Sequence, residues 1–189
     1  MPRKYIEGDV DVSKLMLTEL PDFLSDVAVR GSFNCKDNRL TSLKGSPLSV
    51  TENYYCNGNK ITSLLGAPAT VGGGFYFTEN ILLTTLEGGP KHVGGDFYCQ
   101  LNPELVNLKG APISVKNLMC TSNNKLESLE GSPKYVEGNL LCNHNKKLKT
   151  IEGFPKYVDG SVFWSNNGIK VTEEEIRAVC QVGGRVSIT

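Results

Sequence analysis

The residues best suited to chemistry in this chain are six cysteines, two histidines and two glycine-rich segments. Cys142 and His144 are the only Cys/His pair close in sequence, and a thiol beside an imidazole is a minimal nucleophile with its base. Cys35, Cys56, Cys99, Cys120 and Cys142 raise disulfides and zinc as further options. VGGGF at 71–75 and VGGDF at 93–97 raise a phosphate-binding loop. Spacing argues against each. Zinc ligands cluster at short sequence spacing, whereas these cysteines stand 21 or more residues apart. Neither glycine segment is followed by G-x-x-x-x-G-K-S/T or by a helix start, so both read as turns needing positive φ before a strand. We expect no catalytic residue, no metal site and no cofactor.

What positions these residues is an internal repeat. Gly-x-Pro recurs at Gly45, Gly66, Gly88, Gly110, Gly131 and Gly153, in steps of 21, 22, 22, 21 and 22 residues. In step with it run Cys35, Cys56, Phe77, Cys99, Cys120, Cys142 and Trp164, each followed three residues later by Asn38, Asn59, Asn80, Asn102, Asn123, Asn145 or Asn167. The unit is L-x-x-L-x-G-x-P-x-x-V-x-G-x-Φ-x-C-x-x-N, with Φ apolar. Its end alternates apolar and other residues, as in Phe33 and Cys35 or Phe97 and Cys99, which is the two-residue period of a short strand with one buried face. The Gly/Pro-rich remainder cannot form a long helix and returns the chain by turns, extended pieces or short 3₁₀.

The repeat register assigns roles. The cysteines point inward beside Phe77 and Trp164 as small buried hydrophobes. Parallel rungs about 4.8 Å apart would allow a disulfide by distance, but inward side-by-side vectors oppose it. Cys142 faces inward and His144 stands at its strand's end, so the pair is not placed for catalysis. The asparagines read as scaffold: a buried amide supplies a donor and an acceptor where the strand leaves its ladder.

Length and charge narrow the function classes. The 189 residues suit a single domain, 1–189, with a sizeable core. Twenty basic and twenty acidic residues leave no net charge and no basic face, which argues against nucleic acid as a partner. No apolar run approaches 18 residues, so no membrane-spanning helix is expected. The opening MPRKYIEGDV lacks the apolar stretch of a secretory signal, pointing to a cytoplasmic protein with reduced thiols.

The ends follow the same template. Residues 6–15 form a degenerate first rung, with Leu15 where asparagine should stand, and the central repeats cover 17–167. A C-terminal helix is expected over 172–181, started by a Thr172/Glu175 capping box, with Ile176, Val179 and Cys180 on one face. The last strand is expected over 182–188, making nine. One rung departs from the pattern: Val115 and Leu118 are three apart where Val93 and Phe97 are four, which predicts a tighter turn into that strand.

With these motifs in hand, the chain resembles the leucine-rich repeat family, whose strand motif L-x-x-L-x-L-x-x-N-x-L is matched with Cys or an aromatic at the third apolar position. The 21–22 residue period and the opening LTELPDFLSD are similar to the short bacterial type, and the Cys-rich strands with Gly-x-Pro turns to variants from tailed-phage genomes. The resemblance implies a leucine-rich repeat solenoid, a right-handed coil of about nine short parallel strands with Gly/Pro-rich convex turns and one C-terminal helix.

Function is then sought on the concave face. The residues just before each inward Cys are Tyr55, Tyr76, Tyr98, Met119, Leu141 and Phe163, where a solvated face should be polar. Their stripe is on the order of 24 Å long and 500 Å² in area, a size that usually means interaction. Neutral or acidic polar residues flank it, among them Asn57, Asp96, Gln100 and Asn143. The expectation is a non-enzymatic protein-binding module with a protein partner on this face, in its most concrete version a phage-encoded inhibitor or sequestering protein acting on a host factor. A carbohydrate-binding or virion-adhesion module is the alternative, since tyrosine platforms beside Asn, Thr and Gln also suit sugar rings. The last strand leaves an open edge, from which self-association through the C-terminal end is expected.

Overall fold

A computed structural model of the protein describes residues 4–188. The chain is a parallel β-solenoid whose long sheet has nine strands in strict sequence order. These are Val10–Asp11, Phe33–Asn34, Tyr54–Tyr55, Phe75–Tyr76, Phe97–Tyr98, Leu118–Met119, Leu140–Leu141, Val162–Trp164 and Val186–Ile188. Every neighbour pairs in parallel, Tyr55 with Tyr76, Tyr76 with Tyr98, Tyr98 with Met119, so equivalent repeat positions lie side by side. The nine expected strands are therefore these, and Val10–Asp11 is the first rung that the degenerate 6–15 segment supplies.

The interior is built in columns because each rung places the same residue type at the same depth. Phe33, Tyr54, Phe75 and Phe97 are fully buried and stack with ring centroids 5.3, 5.4 and 6.0 Å apart. The Tyr54 hydroxyl, buried among them, is hydrogen-bonded to Ser46 Oγ at 2.7 Å, so the small residue inside Gly45–Pro47 is what makes a tyrosine tolerable there. The strand cysteines are 0% exposed and all six thiols are free.

The extended pieces before the glycines do more than return the chain. They pair in a second row, five-stranded from Lys4–Glu7 to His92–Val93 and four-stranded from Ser114–Val115 to Gln181–Val182. The row breaks at the rung where one residue is missing between Val115 and Leu118. Elsewhere the residue after the buried valine donates its N–H to the valine carbonyl of the preceding rung, as Gly94 does to Val71 O and Glu137 to Val115 O. Lys116 instead donates to Gly95 O, the bond that the next residue makes in other rungs. The expected tight turn is thus a local loss of ladder pairing.

Three expectations are corrected. The helix is Glu173–Val179, not 172–181: the Thr172/Glu175 capping box is present, but the chain becomes extended at Cys180 because Gln181–Val182 joins the second row beside Tyr157–Val158. Val179 consequently lies 40% exposed, whereas Ile176 and Cys180 are buried. The last long-sheet strand is Val186–Ile188, not 182–188; Thr189 lies outside the described residues. Finally, Gly72 and Gly94 do not have positive φ. Their requirement is closeness: a Cβ on Gly72 would overlap the Thr51 carbonyl, and one on Gly94 the Gly72 carbonyl. Positive φ belongs instead to the first glycine of each Gly-x-Pro.

Candidate functional site

Directly after each of the first eight long-sheet strands the chain turns through a left-handed residue. These are Lys14, Asp37, Gly58, Glu79, Leu101, Ser122, His144 and Asn166, with φ between 52° and 64°. Non-glycine residues resist this conformation by about 1–2 kcal/mol each. The asparagine that follows holds the corner. Asn102 donates from Nδ2 to Cys99 O (2.8 Å) and to Phe77 O of the preceding rung (3.2 Å), while its Oδ1 accepts from Asn80 N (2.8 Å). The same N–H to Oδ1 link runs from Asn59 to Asn80, Asn102 to Asn123, Asn123 to Asn145 and Asn145 to Asn167. Even Leu15, in the asparagine's place, donates its N–H to Asn38 Oδ1.

This rigid frame presents Tyr55, Tyr76, Tyr98, Met119, Leu141 and Phe163 in one register column on the outer face of the long sheet. All six are half-buried. Tyr55 and Tyr76 stack at 4.9 Å, and Tyr76 meets Tyr98 edge-on at 5.2 Å. Tyr76 leans back over Gly74, where a Cβ would come within 2.5 Å of its hydroxyl, so Gly74 is the space that this ring occupies. Burial, with the Asp96 carboxylate beside it, pushes the Tyr76 phenol up to about 12 and raises Tyr98 by the same causes. At the far end the Arg185 guanidinium lies 5.7 Å over the Phe163 ring.

The flanking residues divide. Asp96 Oδ1 accepts from Asn117 Nδ2 at 2.7 Å. In the same column Asn53, Asn117 and Asn139 each accept the N–H of the next rung, at Gly74, Asn139 and Ser161, so much of this column is a second scaffold ladder that inspection of residue types did not reveal. On the other side Asn57 Nδ2 donates to Thr78 Oγ1 (3.1 Å) and Asn143 Oδ1 accepts from Ser165 Oγ (3.0 Å). Asn57 Oδ1 and Gln100 Oε1 are buried without a hydrogen-bond partner among the described residues.

The residues with potential for chemistry are scattered. Cys142 is fully buried, and burial raises its thiol well above the ordinary value, whereas His144 is exposed at the turn. Among the described residues no cluster of three or more His, Cys, Asp or Glu is arranged to hold a metal, and no helix is long and apolar enough to cross a membrane. Two features escaped the sequence reading. Tyr135 and Tyr157 stack in parallel at 5.1 Å while 47% and 41% exposed on the second row, legible in hindsight from KYVEG and KYVDG at matching repeat positions. The other is a cavity beside Trp164 near the last strand. Against known proteins, the chain matches no family model, no curated protein and no solved structure.

Proposed function

We propose that this solenoid is a protein-binding module that engages its partner through the outer face of the long sheet. The observation that carries the reading is the unbroken column from Tyr55 to Phe163: six large side chains on consecutive rungs, all partly open to solvent. Tyr, Phe and Met are enriched at interface cores, and neighbouring rings already pre-organise one another. Little side-chain entropy is left to lose on binding. From the likeness of the repeats to tailed-phage variants we take the finer version of the role to be a sequestering inhibitor of a host factor.

The test compares wild type with Tyr76→Ala/Tyr98→Ala for capture of protein from bacterial lysate and, separately, for binding to a glycan array. The variant loses two aromatic contacts, about 1–3 kcal/mol of stability. Each truncation at a binding hot spot should cost about 2 kcal/mol of affinity. A stoichiometric protein held by wild type and released by the folded variant supports the reading. A glycan signal without a protein favours carbohydrate binding, and a folded variant with undiminished capture shows the column to be packing only.

A further inference from the structure

One carboxylate on the outer face of the long sheet does not do the work of its column. At the equivalent position Asp9, Asn53, Asn117 and Asn139 each give their Oδ1 to a backbone N–H of the next rung, at Ser32, Gly74, Asn139 and Ser161. Asp96 does not: its Oδ1 accepts from Asn117 Nδ2 at 2.7 Å, and its Oδ2 accepts no hydrogen bond among the described residues. Asp96 is half-buried, yet this second oxygen is open to solvent rather than enclosed. The Tyr76 and Tyr98 phenols lie beside the carboxylate, with their rings 5.2 Å apart and nearly perpendicular.

The surrounding face supplies no counter-charge. On the rungs from Tyr55 to Phe163 the outward residues are neutral at every position but this one, and Asp96 belongs to no ion pair among the described residues. A carboxylate partly withdrawn from water and left without a cation is complementary to one brought by a partner. The rings narrow the kind of cation. A guanidinium is flat, so it can stack on a phenol while donating a fork of N–H groups to a carboxylate, which an ammonium cannot do. The same column already carries one guanidinium on an aromatic ring, where Arg185 lies 5.7 Å over Phe163.

We infer that Asp96, Tyr76 and Tyr98 form the seat for an arginine side chain of the protein partner. The inference rests on the reading of this face as a protein-binding surface and adds what the middle of that surface selects. The probe is the peptide acetyl-Gly-Arg-Gly-amide, titrated into the 189-residue chain beside the same peptide with citrulline or lysine at its centre. The arginine peptide should move the ring resonances of Tyr76 and Tyr98 and the side-chain amide of Asn117 saturably. Citrulline, equally flat but uncharged, should bind at least about tenfold more weakly, and lysine should also be weaker because it lacks the planar fork. Asp96→Asn should weaken the arginine peptide by about tenfold. Its thermal midpoint should stay in place, because Asn53, Asn117 and Asn139 occupy this position in other rungs and asparagine keeps an oxygen for Asn117 Nδ2. Resonances that stay still, citrulline or lysine bound as tightly as arginine, or full affinity in the folded Asp96→Asn variant would each overturn the inference. Lysate capture separates its failure from that of the reading beneath it. A protein released by Tyr76→Ala/Tyr98→Ala but fully held by Asp96→Asn leaves the surface standing and overturns the arginine seat, whereas capture indifferent to the tyrosines overturns the surface and the seat together.

Discussion

Removing one amide from the ladder tests the frame on which every surface assignment depends. Asn102→Ala deletes three buried hydrogen bonds: the acceptor for Asn80 N and the two donations to Phe77 O and Cys99 O. At about 1 kcal/mol net per bond the loss is about 3 kcal/mol. Asn123→Ala deletes two, the acceptor for Asn102 N and the donation to Cys120 O, or about 2 kcal/mol by the same rule. For a domain of this length 1 kcal/mol moves the thermal midpoint by about 2–4 °C. The expected falls are thus about 6–12 °C for Asn102→Ala and about 4–8 °C for Asn123→Ala. Asn124→Ala, at the adjacent exposed position, is the control and should change little. Thermal denaturation followed by far-ultraviolet circular dichroism measures all three, and the ordering is the sharper part of the forecast. If Asn102→Ala unfolds with the midpoint of Asn124→Ala, the ladder is not what holds the left-handed corners.

Thiol titration should find the six cysteines unreactive in the native state and all six labelled in denaturant, because all are buried; rapid native labelling would contradict the inward register. Stability should fall as pH rises above about 9, since burial raises Cys35 to about 12, Cys180 to about 11, and Cys56, Cys99 and Cys142 well above the ordinary value. Below that pH the thiols are protonated in both states; above it the unfolded thiols ionise while the native ones resist, so unfolding is favoured progressively up to about pH 12, and a flat profile of urea midpoints from pH 8 to 11 would refute this. Gly72→Ala should cost about 1–3 kcal/mol despite an exposed position, because its Cβ would overlap the Thr51 carbonyl of the neighbouring rung; a midpoint within error of wild type would show that the rungs can separate.

Much of this architecture was legible in one dimension because a repeat makes one rung's constraints visible many times over. Seven inward positions followed at three residues by asparagine determined the strands, their register, the buried thiols and the amide ladder. The column from Tyr55 to Phe163 was legible for the same reason, since alternation alone separates inward from outward side chains. The tertiary structure decided whatever depends on contacts between rungs. The left-handed corners at Glu79 and Leu101 carry no residue-type signal, because their conformation is imposed by the amide beside them rather than by their own preference. The closeness of Gly72 and Gly94 to a neighbouring carbonyl arises between chains of atoms one repeat apart and has no local signature; the break in the second row before Ser114–Val115 was marked in the sequence by the missing residue between Val115 and Leu118, but that the change falls on ladder pairing was decided by contacts between rungs. The unpartnered indole of Trp164 is of the same kind. Its burial follows from the repeat, but only the packed structure shows that no acceptor among the described residues reaches it.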